Sequence, residues 1–154
     1  MNLTIDNIST KLFKSISSTP IFDLHTHLFP PTHKSYFLLG FKNLLNYHYL
    51  IAELLTATNI EASTFYSYDV DKKASLVWSE LFIKRTPVSE ACAGVLTILK
   101  ELNIEINNND FSLICKEYDK KIKSDKKILE LSNVSSLVMT NNPFDLDEWS
   151  LFES

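Results

Sequence analysis

Glycine is the residue that this sequence lacks most, because Gly40 and Gly94 are the only two among its 154 residues. Average usage of about 7% would give roughly eleven glycines in a chain of this length. Loops that wrap around phosphates need several glycines at fixed spacing, and the sequence has neither a Walker A motif nor a GxGxxG motif. The usual kinds of ATP-binding and NAD-binding site are therefore excluded.

Other absences limit the cellular compartments and the binding partners that are compatible with the sequence. Cys92 and Cys115 form no CxxC motif and occupy apolar helical positions, which predicts buried free thiols in a reducing compartment. The N-terminus lacks a basic start followed by an apolar run, and no segment is long enough to span a membrane. The net charge of −4 is spread along the chain, so no patch for nucleic acid or an anionic membrane is present. We expect a cytoplasmic protein.

What the sequence does contain is enough apolar surface for a folded domain, since 45% of its residues are hydrophobic and 12% are aromatic. Two short apolar segments, residues 21–27 and 134–140, have the pattern of buried strands. Helical periodicity predicts helices over 3–18, 41–58, 71–85, 111–122 and 125–132, and Thr86-Pro87 predicts the start of another that reaches Leu102.

The fold class is therefore α/β with a helix-dominated chain. One partial domain holds a first strand at 21–27, a mostly helical insertion at 41–132 and a second strand at 134–140. Asn107 to Asn109 is expected to form a turn within the insertion, and a loop is expected after the second strand. Two lone buried strands cannot form a stable sheet of their own, which indicates that further strands are missing.

The segment "FDLHTH" carries the clearest chemistry in the sequence. Side chains alternate along a strand, so His25 and His27 project to the same side, and Asp23 shares it. Two imidazoles held in this way can each give a nitrogen to one divalent metal, with zinc as the first candidate, and Asp23 can anchor a ring nitrogen from behind. The pair lies where a strand ends and a loop begins, which is where active sites form in parallel α/β proteins.

Spacing alone leaves alternatives open. The two histidines could be a packing accident without any metal. His48 lies near the apolar stripe of residues 41–58, and from spacing alone a hydrogen-bonded core histidine is favoured over a site residue.

Three segments together resemble one enzyme family. "IFDLHTH" is similar to the first-strand metal motif of the amidohydrolase superfamily, "LLNYHYLIAELL" resembles a helix of uronate isomerases with a His-Tyr pair, and "LVMTNNPFD" resembles their second strand. The resemblance covers residues 10 to 147 and implies the N-terminal part of a metal-dependent (β/α)₈ barrel. It implies that His25 and His27 bind the metal, that His48 and Tyr49 are catalytic and contact the substrate, and that Thr140 and Asn141 line the substrate pocket.

The implied reaction is the isomerisation of a hexuronate, of the glucuronate to fructuronate type, through an enediol. Such a barrel takes about 250 residues, so we expect this chain to be an incomplete fragment without independent turnover. One alternative is a metal-dependent hydrolase of the same superfamily, and another is a non-catalytic helical protein that binds a partner. The chain could also form a homo-oligomer.

Overall fold

A computed structural model of the chain describes residues 5–106, 110–140, 142 and 144–151. The elements follow in the order α1 (Ile5–Ser18), β1 (Ile21–Thr26), a 3₁₀-helix (Pro31–Tyr36), α2 (Phe41–Leu45), α3 (His48–Ala57), α4 (Ala62–Ser67), α5 (Val70–Val77), a π-helix (Trp78–Ile83), α6 (Glu90–Glu101), α7 (Phe111–Lys121), α8 (Asp125–Leu131), β2 (Val134–Met139) and α9 (Leu146–Ser150). The helix-dominated α/β character expected from the sequence is confirmed. The chain divides into two compact units, one formed by Met1–Phe37 and Ser124–Ser154 and the other by Leu38–Lys123.

The first unit contains the sheet, in which β1 and β2 pair in parallel. The sheet begins where the Ile21 backbone N–H donates to the Asn133 carbonyl oxygen at 2.8 Å. Asn133 has a φ of +55°, a left-handed conformation that asparagine tolerates better than most residues, and its side-chain amide donates to the Thr19 carbonyl oxygen at 2.8 Å. This one residue therefore ends α8 and aligns the starts of both strands.

Apolar side chains of the first unit remain in contact with solvent. The stripe on α1 is exposed, as Phe13 shows with 75% of its surface accessible, and Phe22 and Leu24 of β1 are exposed at 59% and 70%. A parallel sheet is normally covered on both faces, and a two-stranded sheet is at best marginally stable alone. Among the described residues, apolar surface of α1 and of the sheet is therefore left uncovered.

The second unit has its own core. Its largest fully buried side chains are Phe41, Leu45, Leu50, Leu54, Phe65, Val77, Leu81, Cys92 and Leu99. The Phe41 ring is central, because its centroid lies 5.2 Å from that of Tyr118, 5.8 Å from that of Trp78 and 6.3 Å from that of Phe111. The Phe41 backbone N–H donates to the Asp119 carboxylate at 3.0 Å. A side chain of α7 therefore caps the N-terminus of α2. This hydrogen bond joins the two helices at Phe41, the residue whose ring is central to the core.

The single helix expected over residues 41–58 is wrong, because the structure breaks it between α2 and α3. The side-chain amide of Asn46 donates to the Lys42 carbonyl oxygen at 2.8 Å and to the Val70 carbonyl oxygen at 3.2 Å. Tyr47 then adopts an extended conformation and becomes the N-cap residue of α3. An asparagine side chain can take up backbone carbonyl groups and so compete with the hydrogen bonds of a helix. Here the second carbonyl group belongs to Val70, which is distant in the sequence.

Other boundaries also differ from the sequence pattern. The start expected at Thr86-Pro87 is wrong, since Ser89 is the N-cap of α6 and its hydroxyl accepts the Cys92 backbone N–H at 3.1 Å. Helix α4 was not expected, and α9 replaces the loop expected after the second strand. The turn expected at Asn107 to Asn109 lies outside the described residues.

The expected burial of the cysteines is confirmed, because Cys92 and Cys115 are both free and buried. Within the described ranges, no helix combines the length and the hydropathy required to cross a membrane.

Candidate functional site

The paired histidines lie at the C-terminal end of β1. The ring centroids of His25 and His27 are 5.2 Å apart and the ring planes stand at 84° to each other. Both side chains are exposed. The alternation of the strand therefore brings the two imidazoles together on an accessible surface, as the sequence pattern predicts.

Asp23 and Thr140 border this pair through backbone contacts. One carboxylate oxygen of Asp23 accepts the His25 backbone N–H at 3.0 Å, and the Thr140 backbone N–H donates to the Thr26 carbonyl oxygen at 2.8 Å. Thr140 thus extends the strand pairing to the residue between the two histidines. Asn141 lies outside the described residues.

The ligand set for a metal is incomplete in the part of the chain that the structure describes. No group of three or more His, Cys, Asp or Glu side chains there is arranged to hold a metal ion. His25 and His27 can supply two nitrogen ligands, whereas a catalytic zinc site uses three protein ligands.

A buried carboxylate that the sequence analysis did not identify lies in α9, the helix that follows the second strand in the chain. Glu148, in the first turn of α9, is 6% exposed, and its carboxylate accepts the Asn142 backbone N–H at 3.3 Å. The N-cap residue Asp145 accepts the Glu148 backbone N–H at 3.0 Å. These bonds join Asn142 to the first turn of α9. The sequence signal was an Asp three residues before a Glu, which is typical of a helix start.

His48 and Tyr49 open α3 in the second unit. Both side chains are exposed, so the interpretation of His48 as a core histidine is wrong. Tyr47, His48 and Tyr49 form a cluster of three rings with centroid separations of 4.4, 4.3 and 5.2 Å. The extended Tyr47 directly before the helix presents these consecutive rings to solvent, because α3 buries its other side through Leu50 and Leu54.

A hydrogen-bonded group anchors α3 to α6. The Ser89 hydroxyl donates to a Glu53 carboxylate oxygen at 2.6 Å, and the Cys92 thiol lies 3.8 and 3.9 Å from the two Glu53 oxygens. Burial, the largest cause, and the Glu53 carboxylate raise the pKa of the Cys92 thiol. The thiol therefore stays protonated near neutral pH and can donate to Glu53.

A groove of about 610 Å³ opens beside this anchor, and sequence reasoning did not find it. Tyr47, Tyr49, Leu50 and Glu53 line it from one side and Ser89 from the other. A partial signal was available, because Tyr49 and Glu53 are four residues apart and so lie on one face of a helix. The contribution of Ser89, which is distant in sequence, had no such signal.

The chain is therefore a helix-dominated α/β protein with a pair of histidines at the C-terminal edge of a parallel sheet. The structure is similar to the crystal structure of a uronate isomerase from Bacillus halodurans C-125, with a TM-score of 0.86 and 38% sequence identity. The similarity covers 97% of this chain and 36% of the uronate isomerase chain. No protein-family model matches the sequence, and neither does a curated protein. The resemblance to uronate isomerases is therefore confirmed, for a chain that spans about a third of the length of that enzyme.

Proposed function

We propose that this chain is the N-terminal part of a metal-dependent (β/α)₈ barrel that isomerises a hexuronate, of the glucuronate to fructuronate type. The observation that carries the proposal is the similarity to the uronate isomerase, which extends over 97% of the chain at 38% identity. At this identity the likeness involves the side chains as well as the course of the backbone. The open sheet and the exposed α1 stripe agree with a barrel that continues beyond β2.

His25 and His27 would hold the divalent metal, for which zinc suits imidazole ligands. Their rings are close together and accessible, so the residues present fit one half of such a site. When bound, a divalent ion polarises a substrate oxygen on which negative charge develops. Asp23, bonded to the His25 backbone, would keep the strand end in place.

The reaction moves a proton between adjacent carbons through an enediol and needs a base, an acid and a donor to the charged oxygen. We assign the proton transfer to His48, because an imidazole can accept and return a proton near neutral pH. Tyr49 can donate its phenolic hydroxyl to a substrate oxygen. Thr140, which follows the second strand, and Asn141, its neighbour in the sequence, would contact the sugar.

This chain alone is expected to lack turnover. A carboxylate substrate is held best by a guanidinium group, and the sequence has one arginine, Arg85. Its guanidinium already donates to the Glu80 carboxylate at 3.4 Å and to the Ala57 carbonyl oxygen. We therefore expect the guanidinium group that binds the substrate carboxylate to come from the part of the uronate isomerase fold that this chain does not match.

Fragment complementation tests the proposal. The chain is produced together with a polypeptide covering the part of the Bacillus halodurans enzyme that it does not match, and glucuronate isomerisation is measured. We expect turnover from the pair and none from either polypeptide alone. His25→Ala and His27→Ala should each abolish it, whereas His33→Ala, which removes a histidine from the 3₁₀-helix, should not.

Isomerase activity of the purified chain alone would contradict the proposed division of the site. A co-purifying pair without hexuronate turnover would contradict the proposed reaction, and a pair that hydrolyses an amide or ester would favour the hydrolase alternative.

A further inference from the structure

The first turn of α3, which carries His48 and Tyr49, has no capping side chain among the described residues. Its N-cap residue is Tyr47, whose side chain makes no hydrogen bond to the helix backbone. An N-cap side chain normally accepts one of the free N–H groups and so fixes the start of a helix. The direction in which His48 and Tyr49 point therefore depends on contacts further along α3.

Glu53, one turn after Tyr49, makes such a contact with the start of α6. Its carboxylate accepts the Ser89 hydroxyl at 2.6 Å, and the Ser89 hydroxyl in turn accepts the Cys92 backbone N–H at 3.1 Å. The bond from Cys92 leaves the one hydroxyl proton of Ser89 for Glu53. The Cys92 thiol, 3.8 and 3.9 Å from the two carboxylate oxygens, is a second, weaker donor. The carboxylate therefore has two donors from α6.

This contact fixes the rotation of α3 more closely than apolar packing does. A groove of about 610 Å³ opens beside it, which α3 lines with Leu50 and α6 with Val95. Burial of apolar side chains is non-directional, whereas a hydrogen bond depends on direction. Tyr49 and Glu53 are four residues apart on the same face of α3. A rotation of α3 that displaces Glu53 therefore displaces Tyr49 through the same angle.

We propose that Glu53 and Ser89 are positioning residues of the proposed isomerase, and that their hydrogen bond sets the orientation of His48 and Tyr49. This inference rests on the proposed function, in which His48 and Tyr49 contact the sugar acid. Glu53 and Ser89 act through α3 and make no contact with the substrate. The Glu53 carboxylate serves as a hydrogen-bond acceptor, so its charge is dispensable.

The test uses the complemented pair of polypeptides, with kcat and KM measured for glucuronate. Glu53→Leu removes the acceptor and should lower kcat about tenfold or more, because proton transfer is slow from a misplaced group. KM should change less, because the guanidinium group expected to bind the substrate carboxylate does not belong to α3. Glu53→Gln keeps an oxygen that accepts the Ser89 hydroxyl, so kcat should stay within about twofold of the unsubstituted pair. Glu90→Leu removes a carboxylate from the α6 side of the same groove and should change neither constant.

Two substitutions of Ser89 separate its contact with Glu53 from its role as the cap of α6. Ser89→Asp keeps an acceptor for the Cys92 N–H, because aspartate is a good N-cap residue. It has no proton to donate to Glu53 and places a like charge beside it, so kcat should fall as in Glu53→Leu. Ser89→Thr keeps both the cap and the donor and should retain kcat. Thermal unfolding of each variant is measured, and Ser89→Asp carries the test if Glu53→Leu does not fold.

A second measurement is independent of turnover. The ring centroids of Tyr47, which precedes α3, and Tyr49, which belongs to it, are 5.2 Å apart. The NMR signals of these rings in the full chain therefore change when α3 rotates. Glu53→Leu and Ser89→Asp should shift the signals, whereas Glu53→Gln and Ser89→Thr should leave them close to their original positions.

Unchanged kcat in folded Glu53→Leu or Ser89→Asp would overturn the proposal. Loss of turnover in Glu53→Gln would also overturn it, because Glu53 would then act through its charge, and so would ring signals that Glu53→Leu leaves unchanged. If the unsubstituted pair has no turnover, the proposed function fails. Shifted ring signals would still show in that case that Glu53 and Ser89 orient α3, so the two failures are distinguishable.

Discussion

Replacing Phe41 with alanine is expected to remove much of the stability of the unit Leu38–Lys123. The side chain is fully buried and its ring contacts those of Trp78, Phe111 and Tyr118. Phe-to-Ala changes at such positions cost about 3–5 kcal/mol, from lost transfer free energy and the cavity left behind. A small domain has a total stability of about 5–15 kcal/mol, so a third or more of it can be lost.

The loss of stability is measured by urea denaturation, with tryptophan fluorescence as the signal. Trp78 packs against Phe41 and reports on this core, and a Trp149→Phe background removes the other tryptophan of the sequence. The midpoint of thermal unfolding should fall by more than about 12 °C, at roughly 4 °C or more per kcal/mol for a domain of this size. Phe144→Ala is the control: its side chain is 91% exposed, so the change should stay within about 0.5 kcal/mol.

A loss of less than about 1.5 kcal/mol for Phe41→Ala would refute the reasoning, because even a partly collapsed aromatic cavity costs more than that. It would mean that the ring is not the centre of this core. The helix that carries His48 and Tyr49 follows α2 directly, so its anchoring would then need another explanation.

Three further outcomes are expected. Burial raises the pKa of the Cys115 thiol to about 11, so the folded chain keeps a proton that the unfolded chain loses near 9.0. The urea midpoint should therefore fall between pH 9 and 11, and a Cys115→Ala variant should lack that part of the decline. Asp119→Ala removes the acceptor of the Phe41 N–H and should cost about 1 kcal/mol in denaturation, whereas Asp119→Asn, which keeps an acceptor, should cost less. Zinc should bind the chain only weakly in calorimetry and not detectably after His25→Ala or His27→Ala, because two ligands are too few for a tight site; tight binding by either variant would place the metal elsewhere.

Local patterns allowed the sequence to predict most elements of the fold. Helices α1 and α7 follow from apolar spacing, and both strands follow from short apolar runs between turn residues. The break at Asn46 could not be predicted in this way. It depends on the carbonyl oxygen of Val70, which only the folded chain brings within 3.2 Å of the Asn46 amide. The predicted start of α6 was wrong for a related reason. Ser89 and Thr86 both have side chains suited to an N-cap, and the hydrogen bond from Ser89 to Glu53 of α3 favours Ser89.

The sequence alone was enough to predict that His25 and His27 lie side by side, because residues two apart in a strand project to the same side. It also determined the resemblance to uronate isomerases, which the structural similarity confirms. Only the tertiary structure decided that His48 is exposed, that Ser89 reaches Glu53 and that a groove opens beside them. The physical reason is distance along the chain: period and spacing act within one element, whereas a groove requires side chains from helices separated by more than thirty residues to pack together.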